Sequence, residues 1–178
     1  MVPEQRRNEG WIINYFQFSM INADTRFLGL LGDPVAHSLS PAMHNAALQS
    51  LGLNWLYLGL PCKSENLEVI LNGLINTGCL GLNVTIPHKN NVALLCKELS
   101  PLAQKLKTVN TILPRERGGW YGTNTDVEGF LYPLKYSERE LGKKALIIGC
   151  GGSARAIISG LESLHFPEII IVGRKVES

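Results

Sequence analysis

The chain has 178 residues, 45% of them hydrophobic and 18% charged, which is enough apolar material for one large domain or two small ones. The formal net charge of +2 excludes bulk electrostatic attraction to nucleic acid or a membrane surface. No apolar run approaches the roughly 18 residues of a membrane span.

Residues 1–19 read apart from the rest, polar and then aromatic without periodicity, and are expected to be a disordered extension. Arg6-Arg7 followed by the apolar stretch WIINYFQF is not expected to be a signal peptide. The stretch is short, carries Asn14 and Gln17, and has no small-residue cleavage site after it. Met20 is the expected natural start. The cysteines at 62, 79, 96 and 150 form no C-x-x-C pair and read as buried, reduced thiols of a cytoplasmic protein. His37, His44, His88 and His165 are scattered, so no metal is expected.

From Arg26 onward, short apolar runs alternate with helical segments, which predicts an α/β fold with parallel strands. RFLGLLG at 26–32 reads as a buried strand. Ser40 is expected to cap a helix that has Pro41 at its first position and runs through Met43, Ala46, Ala47 and Leu51 to Gly52. NWLYLGL at 54–60 is a second strand. Ser64 is expected to cap a helix with Leu67, Ile70, Leu71, Leu74 and Ile75 on one face, closed by Gly78. LGLNVTI at 80–86 is a third strand and 89–99 a short helix. Residues 108–124 read as a β-hairpin turning at Gly118-Gly119. A linking helix starts at Asp126, with an interruption expected at Pro133, and Tyr136–Gly142 reads as a domain boundary. A strand at 144–149, a helix at 151–165 and a buried strand at 168–173 complete one β-α-β unit. The domains are thus expected at 20–125 and 143–178, joined by 126–142.

Gly149-Cys150-Gly151-Gly152-Ser153-Ala154 is a turn of the G-x-G-x-x-G/A type between a predicted strand and a predicted helix. Gly149 permits the tight turn, Gly151 lets backbone approach a pyrophosphate, and Ala154 is small enough for close packing. The helix start offers unsatisfied N–H groups to phosphate. At the end of the second strand, an NAD site would place an acid. This chain has Gly173-Arg174-Lys175, whose cations suit the 2′-phosphate of NADP.

Polar groups also stand where core would be expected. Ser38 and Ser40 lie at a loop-to-helix junction, and Asn83 and Thr85 share a strand face. Lys89 follows at the carboxyl end of that strand, where open α/β sheets bind ligands. Asn110 and Asp126 come from VNT and GTNTD. Taken singly, each of these residues is more often a cap or a surface group.

HSLSP, NVTIPHK, VNT, G-x-NTD and the GxGG turn, in this order and spacing, resemble the shikimate dehydrogenases from about Phe27 to Arg174. The resemblance implies an N-terminal α/β substrate domain followed by a Rossmann-type domain. It also implies reversible NADPH-dependent reduction of 3-dehydroshikimate to shikimate in aromatic amino-acid biosynthesis. It assigns Ser38, Ser40, Thr85, Lys89, Asn110 and Asp126 to the substrate, with Lys89 and Asp126 the catalytic pair. Gly149, Gly151, Gly152 and Ser153 would cradle the pyrophosphate, with Arg174 and Lys175 at the 2′-phosphate. The expected partner is a small molecule, for a monomer or homodimer.

The chain departs from the family in three places. It has Lys107-Thr108 where a Gly-Ala pair is usual, which puts the geometry of Asn110 in doubt, and Gly173 and Lys175 flank Arg174 where Asn and Thr are usual. Only two strands of a roughly six-stranded nucleotide domain are present, so the chain as given is expected to be a poor enzyme or none. The competing readings are a quinate/shikimate dehydrogenase of the same family and an inactive ligand-binding fragment.

Overall fold

The computed structural model describes residues 21–136 and 142–173. The extension at 1–19 and the basic pair Arg174-Lys175 lie outside the described residues.

The larger sheet begins with β1 (Arg26–Gly32), whose apolar run is buried at its carboxyl half. After α1 (Ser40–Ser50), β2 (Trp55–Pro61) returns parallel to β1. A single 3₁₀ turn (Ser64–Asn66) leads into α2 (Leu67–Ile75), and β3 (Cys79–Val84) lies parallel on the other side of β1. Next come α3 (Lys89–Leu95), β4 (Glu98–Leu99), α4 (Pro101–Leu106) and the hairpin β5 (Thr111–Pro114) and β6 (Trp120–Thr123). The strand order is β2-β1-β3-β5-β6-β4, with β3, β5 and β6 antiparallel and β4 parallel to β6. The main core joins Leu31, Leu82, Val84 and Ile112 of the sheet to Leu67, Leu71 and Val92 of the helices. Trp120 is locked into it by its indole N–H, which donates to the Leu71 carbonyl at 3.1 Å.

The linking helix α5 (Asp126–Lys135) carries the chain to β7 (Lys144–Ile148), α6 (Gly152–Ser163) and β8 (Glu168–Val172), a β-α-β unit with β7 and β8 parallel. Phe130 and Leu131 of α5 pack on α6, and Gly160 makes the approach possible: a Cβ there would stand 2.9 Å from the Phe130 ring.

Several local expectations need correction. Leu39 already has helical backbone angles, so Ser40 opens α1 rather than capping it. The hydroxyl of Ser38 does the polar work instead, accepting the Ser40 N–H at 3.2 Å. Met43 and Leu51 are exposed, and Leu48 is the residue of α1 that packs beneath, on Leu30, Val35 and Tyr57. Ser64 opens the 3₁₀ turn and caps nothing, because Asn66 precedes α2. β3 stops at Val84 because the Thr85 carbonyl is taken by the His88 N–H in a turn.

The helix expected at 89–99 ends at Leu95. The hairpin backbone captures the residues beyond it, with Lys97 N–H bonding Trp120 O and Ser100 N–H bonding Gly122 O. α4 was unforeseen, although Ser100 caps it through Ala103 N–H and Pro101 stands at its first position. Pro133 lies inside α5 without ending it, and Val127, Phe130 and Leu131 in the turns before it pack in one apolar cluster with Leu106 and Ala156. β8 is not buried: α6 covers one face, and Leu146, Ile148, Ile170 and Val172 remain exposed on the other. Cys62 and Cys79 are buried and Cys96 half-buried, and burial pushes the Cys96 thiol up to about 11. Cys150 is exposed in the glycine turn, contrary to expectation.

Gly122, the glycine of G-x-NTD, has a steric cause. A Cβ at this position would lie 2.8 Å from each of Cys96 Sγ, Leu99 Cδ2 and Val109 Cγ2. Gly122→Ala is therefore expected to destabilise the chain by about 1–3 kcal/mol through overpacking, measured as a drop in urea midpoint at unchanged m-value.

Candidate active site

Lys89 is the first residue of α3 and Asp126 the first of α5, two helix starts that the sheet brings together. The Lys89 Nζ donates to Asp126 Oδ2 at 2.6 Å, and both side chains are largely withdrawn from water, at 15% and 25% exposure. The other carboxylate oxygen, Oδ1, accepts from Asn110 Nδ2 at 2.7 Å. Asp126 also lies in the first turn of its helix, where the backbone dipole favours negative charge. An ion pair so placed needs its remaining hydrogen-bonding capacity filled, and the surrounding residues supply partners. Asn110 Oδ1 accepts from Thr125 N–H and from the Thr111 hydroxyl, both at 3.0 Å. Asn124 Oδ1 accepts the Asp126 N–H at 2.9 Å.

A line of donors extends from this cluster across the sheet. The Tyr57 hydroxyl donates to Asn83 Oδ1 at 2.7 Å, and Asn83 Nδ2 donates to the Thr111 hydroxyl at 3.2 Å. Tyr57 is itself fixed by the His44 ring stacked on it and by the Asn45 amide, which bonds its backbone N–H and C=O. Tyr57 was missed at the level of sequence, because a tyrosine inside an apolar strand carries no distinguishing mark. Thr111, Asn124 and Thr125 were within the quoted motifs but were given no role.

The expected site residues divide into three groups. Lys89, Asn110 and Asp126 are joined by direct hydrogen bonds. Thr85 lies beside them in sequence, with its methyl pressed on Gly32 at the root of the loop that carries Ser38. Ser38 and Ser40 bond one another, and no hydrogen bond among the described residues links them to the ion pair. The third group, Gly149, Gly151, Gly152 and Ser153, lines a cleft of about 510 Å³ whose opposite wall is Ile86, Pro87, Lys89 and Asn90.

The glycine turn suits a dinucleotide. Gly149 has φ +115°, a conformation that glycine tolerates. A Cβ at Gly151 would meet nothing within 4 Å, so its backbone is open to a ligand in the cleft. The twelve-residue α6 points its N-terminus there. Among the described residues, no group of three or more His, Cys, Asp or Glu could hold a metal ion, and no helix is long and apolar enough to cross a membrane.

Comparison with known proteins finds relatives over most of the chain. Residues 30–112 match the shikimate dehydrogenase substrate binding domain. The chain is 50% identical over 159 residues to a shikimate dehydrogenase (NADP(+)) of Prochlorococcus marinus strain MIT 9215, covering 89% of this chain and 55% of that protein. The chain belongs to the shikimate dehydrogenase family. A shikimate dehydrogenase (NADP(+)) of Nostoc sp. is 47% identical over 160 residues, with the same shares covered. Among solved structures, a shikimate dehydrogenase in complex with NADP+ matches with TM-score 0.79 and 40% identity, over 88% of this chain and 54% of that one. A shikimate 5-dehydrogenase of Thermus thermophilus in complex with shikimate matches with TM-score 0.77 and 40% identity, over 85% and 57%. The chain spans about half the length of the curated relatives it matches.

Burial pushes the Tyr57 hydroxyl from 10.0 up to about 12. The unfolded chain therefore loses this proton at a lower pH than the native one. The contribution is fully present below pH 10 and is lost as the pH rises from 10 toward 12. Urea denaturation over this range is expected to show that alkaline loss in the wild type and a shallower loss in Tyr57→Phe.

Proposed function

We propose that the chain forms the substrate side and the phosphate turn of an NADP-dependent shikimate dehydrogenase. This would be a cytoplasmic enzyme of aromatic amino-acid biosynthesis that reversibly reduces 3-dehydroshikimate to shikimate. The observation that carries the reading is the Lys89–Asp126 pair, 2.6 Å apart, whose lysine stands on one wall of a cleft that has the glycine turn as its other wall. The names of the relatives, and the NADP+ and shikimate held by the two solved structures, support it.

Reduction of a ketone builds negative charge on its oxygen. The ammonium of Lys89, a residue that lines the cleft, stabilises that charge and delivers a proton to the oxygen. Asp126 keeps the ammonium in place and accepts a substrate hydroxyl. Asn110 fixes the carboxylate and offers its amide to the same ring. Ser38, Ser40 and Thr85 take the substrate's carboxylate and remaining hydroxyls. NADPH, when bound, supplies the hydride. Gly149, Gly151, Gly152 and Ser153 hold its pyrophosphate, and Arg174 and Lys175 its 2′-phosphate. The narrow spacing of two charged side chains and a ring of hydroxyl and amide groups fits a small polyhydroxylated acid better than an apolar ligand.

Titration calorimetry of the 178-residue chain with shikimate is expected to show binding that weakens on the order of tenfold or more in Asp126→Asn, the cost of a hydrogen bond to a charged group. In any form of the protein that turns over, Lys89→Ala is expected to lower kcat by on the order of 10²-fold or more, with a much smaller change in substrate affinity. An unaltered shikimate affinity in Asp126→Asn, or turnover within a few-fold in Lys89→Ala, sinks the assignment.

A further inference from the structure

Thr108 lies where three parts of the site meet. It is fully buried, and the backbone beside it bonds Lys89 through Val109 N–H to Lys89 O at 2.9 Å. Its methyl stands 3.5 Å from where a Cβ on Gly152 would be, so it rests against the glycine turn. Its carbonyl and its hydroxyl both accept from Asn124 Nδ2, at 3.3 and 3.1 Å.

The Asn124 bonds have a direction. The side chain is 4% exposed, so water does not compete for the amide. Its oxygen is occupied by the Asp126 N–H at 2.9 Å, a first-turn donor with no partner inside the helix. A reversed amide would set NH₂ against that N–H and oxygen against the Thr108 carbonyl, leaving two buried clashes of like polarity. The acceptors that prevent reversal both belong to Thr108, and the hydroxyl is the nearer of the two.

We propose that Thr108 is a positioning residue: its hydroxyl orients the Asn124 amide, the amide holds the start of α5, and the Asp126 carboxylate is thereby aimed at Lys89. The proposal rests on the reading of Lys89 and Asp126 as the catalytic pair. It also resolves the doubt raised by Lys107-Thr108. Lys107 ends α4 in the left-handed region at φ 54°, and Thr108 adds an acceptor that Asn124 uses.

The test compares Thr108→Val, which keeps the shape and loses the acceptor, with Thr108→Ser, which keeps the acceptor and loses the methyl. Both are made in the full 178-residue chain. Amide hydrogen exchange is read by NMR at Asp126 and, as a reference for global stability, at Val84 and Ile112. In Thr108→Val the Asp126 amide is expected to exchange on the order of fivefold faster, the equilibrium equivalent of one net hydrogen bond, while the reference amides stay within about twofold. Thr108→Ser restores protection. Shikimate affinity follows the same order.

An Asp126 amide unchanged in Thr108→Val overturns the proposal. So does equal acceleration at the reference amides, or failure of Thr108→Ser to rescue. If Thr108→Val does not fold, Thr108→Ala removes the same acceptor without forcing a branched apolar group beside Asn124, and the same readings apply. A wild-type chain that binds no shikimate would refute the proposed function and leave the exchange result to decide the role of Thr108.

Discussion

Two opposite charges 37 residues apart in sequence, Lys89 and Asp126, are held together with little water around them. Neither could stay there alone, because a buried charge without its partner costs several kcal/mol. The pairing therefore demands that the starts of α3 and α5 stand at one fixed separation. The antiparallel hairpin meets that demand. β5 pairs with β3, the strand that leads into Lys89, and β6 returns antiparallel to β5 so that the chain leaves it at Asp126 beside the same sheet end. A wholly parallel sheet would have needed a crossover helix at that step and would have delivered the next helix start elsewhere.

The polar residues around the pair form a connected set with one sense of donation. Tyr57 donates to Asn83, Asn83 to Thr111, Thr111 to Asn110, and Asn110 to Asp126. Each acceptor on the path passes a donor onward, so the last group in line, a carboxylate, receives. Such a set is costly when incomplete and rigid when every member is bonded. The His88 ring, also fully buried, bonds the Cys62 carbonyl through Nε2 at 2.6 Å and ties the end of β2 to the residue before Lys89. The two faces of the lysine's surroundings are thus held by backbone anchors of opposite origin, β2 on one side and the VNT strand on the other.

Strands were legible where apolar runs met turn residues: β1 and β7 begin where the apolar pattern places them, and the hairpin turns at Gly118 and Gly119 with both residues at positive φ. The site was legible to the extent that its residues fell inside short polar motifs. What escaped depends on tertiary capture. The two residues of β4 have no strand pattern of their own and are extended because their flanking residues, Lys97 and Ser100, donate to Trp120 O and Gly122 O on the hairpin edge. Exposure was misjudged for Ile170 and Val172 for the opposite reason: an apolar run says which side chains can be buried, and not whether anything covers them. Tyr57 belongs to the first kind. Its role exists only because Asn83 stands two strands away with β1 between them.

The glycine turn shows how one residue can satisfy two constraints that sequence reading separates. As part of a phosphate cradle, Gly152 answers only to a ligand. In the fold, a Cβ at that position would already be in contact with Thr108 at 3.5 Å and with the Lys89 side chain at 3.6 and 3.7 Å. A methyl would just be accommodated, and any longer side chain would push the lysine stem toward Asp126 or away from it. The turn and the ion pair are therefore not independent modules joined by a linker. A displacement of α6 large enough to open the cleft must separate Gly152 from the lysine whose position the rest of the sheet has fixed. Arg155, which donates to Leu106 O at 3.3 Å, and the packing of Gly160 on Phe130 oppose that displacement further along the helix.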